Sequence, residues 1–258
     1  FIEKGESYYN EAIDILVNAL SNELNYNVLN AIRGSLEKAD PKDFGSVIQK
    51  ILNMQRNFFY FKSSTNENEL ANHENMVTRF ISLFIEITRT NQIENLRFKQ
   101  NSLRYIVLSE VSISKSILKS SVFEGSNISE TEFADSKIIN TVFSYSELSE
   151  CNFKNSEIVS SLFFDNTFLK VKFDGTKFID VFFTNSDLSG ADFTKAEGLK
   201  PAYFYRCKNL EKAKFNEKFR EELKKLPAND SEFIEYIKGS SLTPQRISEL
   251  KEMGNLTE

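Results

Sequence analysis

The stretch "SVFEGSNISETEFADSKIINTVFSYSELSE", residues 121–150, carries an apolar side chain at every fifth position: Phe123, Ile128, Phe133, Ile138, Phe143 and Leu148. An α-helix repeats one face every three to four residues and a strand every two, so neither regular element accounts for it. Read outward, the rhythm runs without a slip from Phe98 to Phe193, always Phe, Leu or Ile. Two residues before each of these the side chain is usually small, as at Ser116, Ser121, Ser126, Thr131, Ser136, Thr141, Ser146, Cys151, Ser156 and Ser161. Leu96, Asn166, Val171 and Val181 show that this second position is looser. Self-similarity at a fixed short period is the signature of a solenoid.

The segment resembles the pentapeptide-repeat family, whose pattern is small–polar–(Leu or Phe)–x–x; "ADFTK" at 191–195 is close to an ideal copy. The resemblance implies a right-handed quadrilateral parallel β-helix, four pentapeptides to a coil of 20 residues and about five coils here, with the central Leu or Phe pointing inward. The fold class expected is α+β, with the solenoid flanked by helical segments: 1–94 as an N-terminal helical domain, 95–198 as the β-helix and 199–258 as a C-terminal helical cap. Coils that pair their backbones stack about 4.7–4.9 Å apart, so each inward Phe lies on the Phe of the next coil. That stacking explains 24 Phe in a chain of 258 residues with no Trp.

The flanks read as helices. Ile13, Leu16, Val17 and Leu20 share one face, as do Val28, Leu29, Ile32 and Leu36. A third pattern carries Phe44, Val47, Ile48, Ile51 and Leu52, and a fourth Met76, Phe80, Ile81, Phe84 and Ile87. The five-residue rhythm fails at Gly198, where "GLKPAYFYRC" interrupts, and Leu210 and Phe215 look like one stray further repeat. Helical patterns follow in "NEKFREELKKL", "DSEFIEYIKG" and "TPQRISELKEM". Open solenoid ends expose apolar side chains and unpaired backbone, so both helical segments are expected to act as caps. Residues 8–52 are also similar to the helical segment that precedes the repeats in membrane-anchored bacterial pentapeptide-repeat proteins, departing at "NVLNAIRG", where that group has an Arg-Leu-Gly run. This second resemblance implies a bacterial protein with a membrane anchor upstream of Phe1.

Little in the chain points to catalysis. The net charge of −5 disfavours a non-specific grip on nucleic acid. The best apolar run, "FISLFIEI" at 80–87, is far short of the roughly 20 residues that a membrane span needs. Cys151 and Cys207 form no framework and no metal cluster, Cys151 falling on the small inward position. His73, the sole histidine, lies in a polar loop. Flat or convex solenoid walls offer no pocket. The expectation is therefore no catalytic residue, no cofactor and no metal, in a cytoplasmic setting.

Residues 20 apart stack, which makes the surface legible. Glu110, Glu130 and Glu150 form an acidic column that Lys170 ends. Val122, Val142, Leu162 and Phe182 form an outward apolar column, with Ile139, Val159 and Ile179 in a second one around the corner and Tyr145 and Phe164 near. Contiguous apolar patches mark contacts. This one is expected to meet the chain's own helices, a second copy in a homodimer, or a protein partner whose identity the residues do not specify. The function expected is a non-enzymatic protein–protein interaction scaffold. The alternative is a DNA mimic that inhibits or protects a type II topoisomerase, as some family members do. From Lys99 to Lys195 the chain carries 10 basic and 13 acidic residues, which is nearly balanced for a rod that must imitate DNA.

Overall fold

The computed structural model describes residues 48–49, 52–53, 78, 81–82, 93–227 and 229–238. His73, the segment similar to membrane-anchored proteins apart from three of its residues, and "TPQRISELKEM" lie outside them. Within them the chain is a parallel β-solenoid flanked by helices. One wall is a five-stranded sheet in the order β1 (Arg97–Lys99), β2 (Ile117–Lys119), β4 (Lys137–Ile139), β6 (Glu157–Val159) and β8 (Lys177–Ile179). The next wall joins β3 (Val122–Glu124), β5 (Val142–Ser144) and β7 (Leu162–Phe164). The third and fourth walls are held by single bridges, Val107 to Asn127 and Ser112 to Glu132 at their N-terminal ends. Every pairing is parallel, and as far as Lys177 with Glu197 each is in register at the 20-residue step, as in Phe143 opposite Phe163.

The period of five arises at the corners. Two residues after each inward side chain the backbone turns with a positive φ, at every such position from Asn95 to Gly190. This left-handed turn costs a non-glycine residue about 1–2 kcal/mol. What offsets it is the interior. Phe123, Phe143, Phe163 and Phe183 form one stack with ring centroids 4.7, 5.0 and 5.1 Å apart. Phe133, Phe153, Phe173 and Phe193 form a second, at 4.8, 5.3 and 4.6 Å. The two stacks meet edge to face, Phe133 against Phe143 at 89°, the arrangement that aromatic quadrupoles favour.

The small inward position does more than leave room. The Ser136 hydroxyl accepts from the Ser116 N–H (3.0 Å) and donates to the Ile113 carbonyl (3.4 Å), both one coil earlier. Thr131 and Ser156 donate likewise to Leu108 and Phe133, each at 2.6 Å. A buried hydroxyl thus pairs with backbone that would otherwise be buried without a partner, which is why Ser and Thr dominate here. Where the coil above supplies Val171 instead, the Cys151 N–H turns to its own Leu148 carbonyl at 3.2 Å.

Gly198 ends the five-residue period but not the ladder. A Cβ there would lie 2.3 Å from the Phe178 carbonyl oxygen, and its φ is +75°. Beyond it, Asp187 bridges to Lys208 and Asp192 to Lys214, one and two residues past the 20-residue step. Short 3-10 turns at Pro201–Phe204 and Leu210–Lys212 lie on either side of that first shift and absorb the extra residues. Both aromatic stacks continue, Phe183 onto Phe204 (5.5 Å) and Phe193 onto Phe215 (5.1 Å). Leu210 and Phe215 are therefore part of one more coil, with Phe215 in the stack.

Helices close both ends. α1 (Glu217–Leu223), N-capped by the Asn216 side chain, buries Phe219 and Leu223 over the last coil. α2 (Asp230–Lys238) stacks Phe233 on Tyr205 with ring centroids 3.7 Å apart. At the other end Ile48, Leu52 and Ile81, all in helical backbone, are buried in the same core as Phe98 and Leu103. No helix among the described residues is long and apolar enough to cross a membrane.

Candidate interaction surface

The residues singled out for the surface fall into the expected columns. Val122, Val142 and Leu162 are consecutive partners on the second wall, and Leu162 bridges to Phe182. Ile139, Val159 and Ile179 are consecutive partners at the adjoining edge of the first wall. Strand alternation sends the central residue inward and its two neighbours outward, so these seven side chains lie on two adjacent strips around one corner.

Their exposure is graded. Ile179 is 52% exposed, Ile139, Val159, Val122 and Val142 are half-buried, and Leu162 is buried. Phe182 differs from the outward reading: it is buried under Tyr203, ring centroids 5.5 Å apart and edge to face. Tyr203 comes from the first 3-10 turn after Gly198, and its hydroxyl accepts from the Asp180 N–H at 2.9 Å. The chain thus covers the C-terminal end of its own strip with a turn rather than a helix. The five-residue pattern gave no sign of this, because Tyr203 lies beyond the residue at which the pattern stops.

Beside the strip, Tyr145 is 59% exposed and meets Phe164 edge to face at 5.2 Å. Tyr105, 64% exposed, lays its ring over Gly125, where a Cβ would be 2.7 Å from it. The acidic column is fully on the surface: Glu110, Glu130 and Glu150 occupy left-handed corner positions and are exposed. Lys170 ends the column by pairing with Glu150 at 2.9 Å, and the hydrogen bond and charge of Glu150 raise the lysine above its usual pKa. Other walls alternate charges in the same way, Lys137 with Glu157 at 3.4 Å and Lys214 with Asp192 at 3.5 Å.

Neither cysteine is placed for chemistry. Burial pushes both thiols well above their ordinary pKa, and each donates to a carbonyl of an earlier coil, Cys151 to Ile128 at 2.8 Å and Cys207 to Phe183 at 2.7 Å. Among the described residues no group of three His, Cys, Asp or Glu could hold a metal ion.

The sequence profile of the family described as pentapeptide repeats matches residues 116–155 and 168–197, in 8 copies. These residues are pentapeptide repeats. Among solved structures, this chain is similar to HetL, a pentapeptide repeat protein involved in heterocyst differentiation regulation from the cyanobacterium Nostoc sp. strain PCC 7120, at 9% identity over 48% of this chain and 87% of that one, TM-score 0.25. It is similar to a pentapeptide repeat protein from the Arabidopsis thaliana thylakoid lumen at 18% identity over 43% and 74% of the two chains, TM-score 0.25. QnrB1, a plasmid-mediated fluoroquinolone resistance protein, is similar at 13% identity over 60% and 91%, TM-score 0.21. A comparison with curated proteins finds no match.

Proposed function

We propose that this pentapeptide-repeat protein is a non-enzymatic scaffold that binds a protein partner along the corner between its first and second walls. The observation that carries the reading is the pair of stacked apolar columns, Ile139–Val159–Ile179 and Val122–Val142–Leu162, lying side by side on the outside of a rigid rod. Isolated exposed aliphatics need no explanation, but a contiguous strip on a soluble surface does. The β-ladder fixes these side chains, so a partner loses little entropy in ordering them. The setting proposed is cytoplasmic, at a membrane if the resemblance of residues 8–52 extends to an anchor.

Site-resolved photo-cross-linking in cells tests the reading. A photoreactive residue at Val142 or Val159 should capture a discrete protein, and one at Asp174 on the fourth wall should not. A cross-link between two copies would make the partner a second copy. Equal capture at all three positions, or none at the strip, would overturn the proposal. The DNA-mimic alternative gains no support from the surface, since its acidic column is three residues long and ends in the Glu150–Lys170 pair.

A further inference from the structure

The outward residues of the five-stranded wall sort by charge in a way that composition hides. Their two columns, in register, are Arg97, Ile117, Lys137, Glu157, Lys177 and Lys99, Lys119, Ile139, Val159, Ile179. In a chain of net charge −5, the five strands of this wall carry Arg97 and four lysines against Glu157, and Glu197 bridges to Lys177 beyond the last strand. The third wall and its corner, half a coil away, carry Glu147, Asp187 and the Glu110–Glu130–Glu150 column. The rod is therefore polarised across its width. Lys99, Lys119 and Lys177 are exposed and make no ion pair among the described residues.

The second of these columns reads as a line: two ammonium groups, then three aliphatic side chains that border the apolar second wall. We propose that this line receives an acidic amphipathic helix of the partner protein, its carboxylates over Lys99 and Lys119 and its apolar stripe over Ile139, Val159 and Ile179. The proposal rests on the scaffold reading and names the chemistry of its partner. Spacing supports a helix. Four steps of about 4.8 Å cover about 19 Å, the length of about 13 helical residues. Helix neighbours at i, i+3 and i+4 lie about 5–6 Å apart, close to the coil step, so one partner side chain meets each coil. Same-face residues of an extended strand repeat at about 6.6 Å and fall out of step. Acidic residues are favoured in the first turn of a helix, which sets the partner's N-terminus over Lys99. A nucleic-acid duplex would pair with the cations and leave the aliphatic line uncovered. A bilayer needs protruding apolar side chains, whereas Ile139 and Val159 are half-buried.

The test uses the full chain and a labelled helical peptide of about 16 residues, with two Glu in its first turns followed by three Leu spaced i, i+4 and i+7. A scrambled peptide, phosphatidylserine vesicles and a DNA duplex serve as competitors. The helical peptide should bind in preference to the scrambled one and more weakly as salt rises. Lys99→Glu with Lys119→Glu, and separately Ile179→Asp, should each weaken it by roughly tenfold, whereas Lys154→Glu on the fourth wall should not. If the double charge reversal unfolds the chain, Lys99→Gln with Lys119→Gln replaces it and should still weaken binding. Equal binding of scrambled and helical peptides, or no loss in the lysine variants, overturns the proposal. So does stronger binding of duplex or vesicles that depends on the same lysines and on Ile179. A positive cross-link at Val142 or Val159 beside a failed peptide would remove the helix and leave the scaffold standing.

Discussion

The side-chain amide of Gln49 pairs with both backbone groups of Arg97: its Oε1 accepts from the Arg97 N–H at 2.6 Å and its Nε2 donates to the Arg97 carbonyl at 3.0 Å. β1 is the first strand of the five-stranded wall, and its outer edge would otherwise present these groups unpaired. A carboxamide has the donor and acceptor of a peptide unit, so Gln49 takes the place of a preceding coil. Two further bonds join the same cap, from Asn101 Nδ2 to the Leu52 carbonyl (2.9 Å) and from the Val107 N–H to the Ser82 hydroxyl (2.9 Å).

Gln49→Leu removes both bonds and leaves the edge open. The expected loss is about 1–3 kcal/mol, read from the urea midpoint. Light scattering should show self-association as well, because an unpaired strand edge is a template for another chain. Unchanged stability and an unchanged mass together would refute the cap.

Phe143 sits between Phe123 and Phe163 and is fully buried. Phe143→Ala should cost about 3–5 kcal/mol, since the rings above and below are held by their own coils and cannot close the cavity. Val142→Ser, one residue away and half-buried on the outside, should cost far less. Similar losses in both variants, measured by chemical denaturation, would contradict the inward assignment.

Gly198 and Gly190 share a left-handed backbone, with φ of +75° and +73°, but their surroundings differ. A Cβ on Gly198 would stand 2.3 Å from a backbone oxygen, whereas one on Gly190 would find its nearest atom 3.5 Å away. Gly190→Ala should therefore cost only the left-handed conformation, about 1–2 kcal/mol. Gly198→Ala should cost clearly more and loosen the coil after it, seen as faster amide exchange in 201–215. Equal effects would show that the chain can shift away from Phe178 freely.

Acid should loosen the last coil first. Burial pushes the Asp187 carboxyl up, but hydrogen bonds from Ser189 and Asn209 and the charge of Lys212 more than offset this and hold it below its ordinary value. Asp192 behaves likewise through Thr194 and Lys214. Carboxyls lowered on folding contribute stability that is fully present above their unfolded pKa of about 3.9, and it is lost as pH falls through the lower folded values. Amide protection around Lys208 and Lys214 should thus hold at pH 5 and fall below about pH 4, and Asp187→Asn should flatten that dependence. A last coil equally protected on both sides of that range would argue against these carboxylates as its ties.

Phe98 to Phe193 could be read from the chain alone because a solenoid repeats by translation. Each residue's neighbours are copies of itself 20 positions away, so a local pattern is already a tertiary one. That is why the stacked Phe interiors, the small inward position and the columns of Val122 and Ile139 were legible. The hydroxyl's second task was signalled by the preference for Ser and Thr over Ala, but its partners one coil earlier become evident only with the coils in place. What the tertiary structure alone decided lies where translation stops. Tyr203 buries Phe182 because the register slips after Gly198, and Gln49 finds Arg97 across 48 positions of chain. The gathering of Arg97, Lys99, Lys119, Lys137 and Lys177 on one wall likewise needs the four walls assigned, since a charge pattern spread over 80 residues has no period of its own. Contacts made once in a fold leave no rhythm in its sequence.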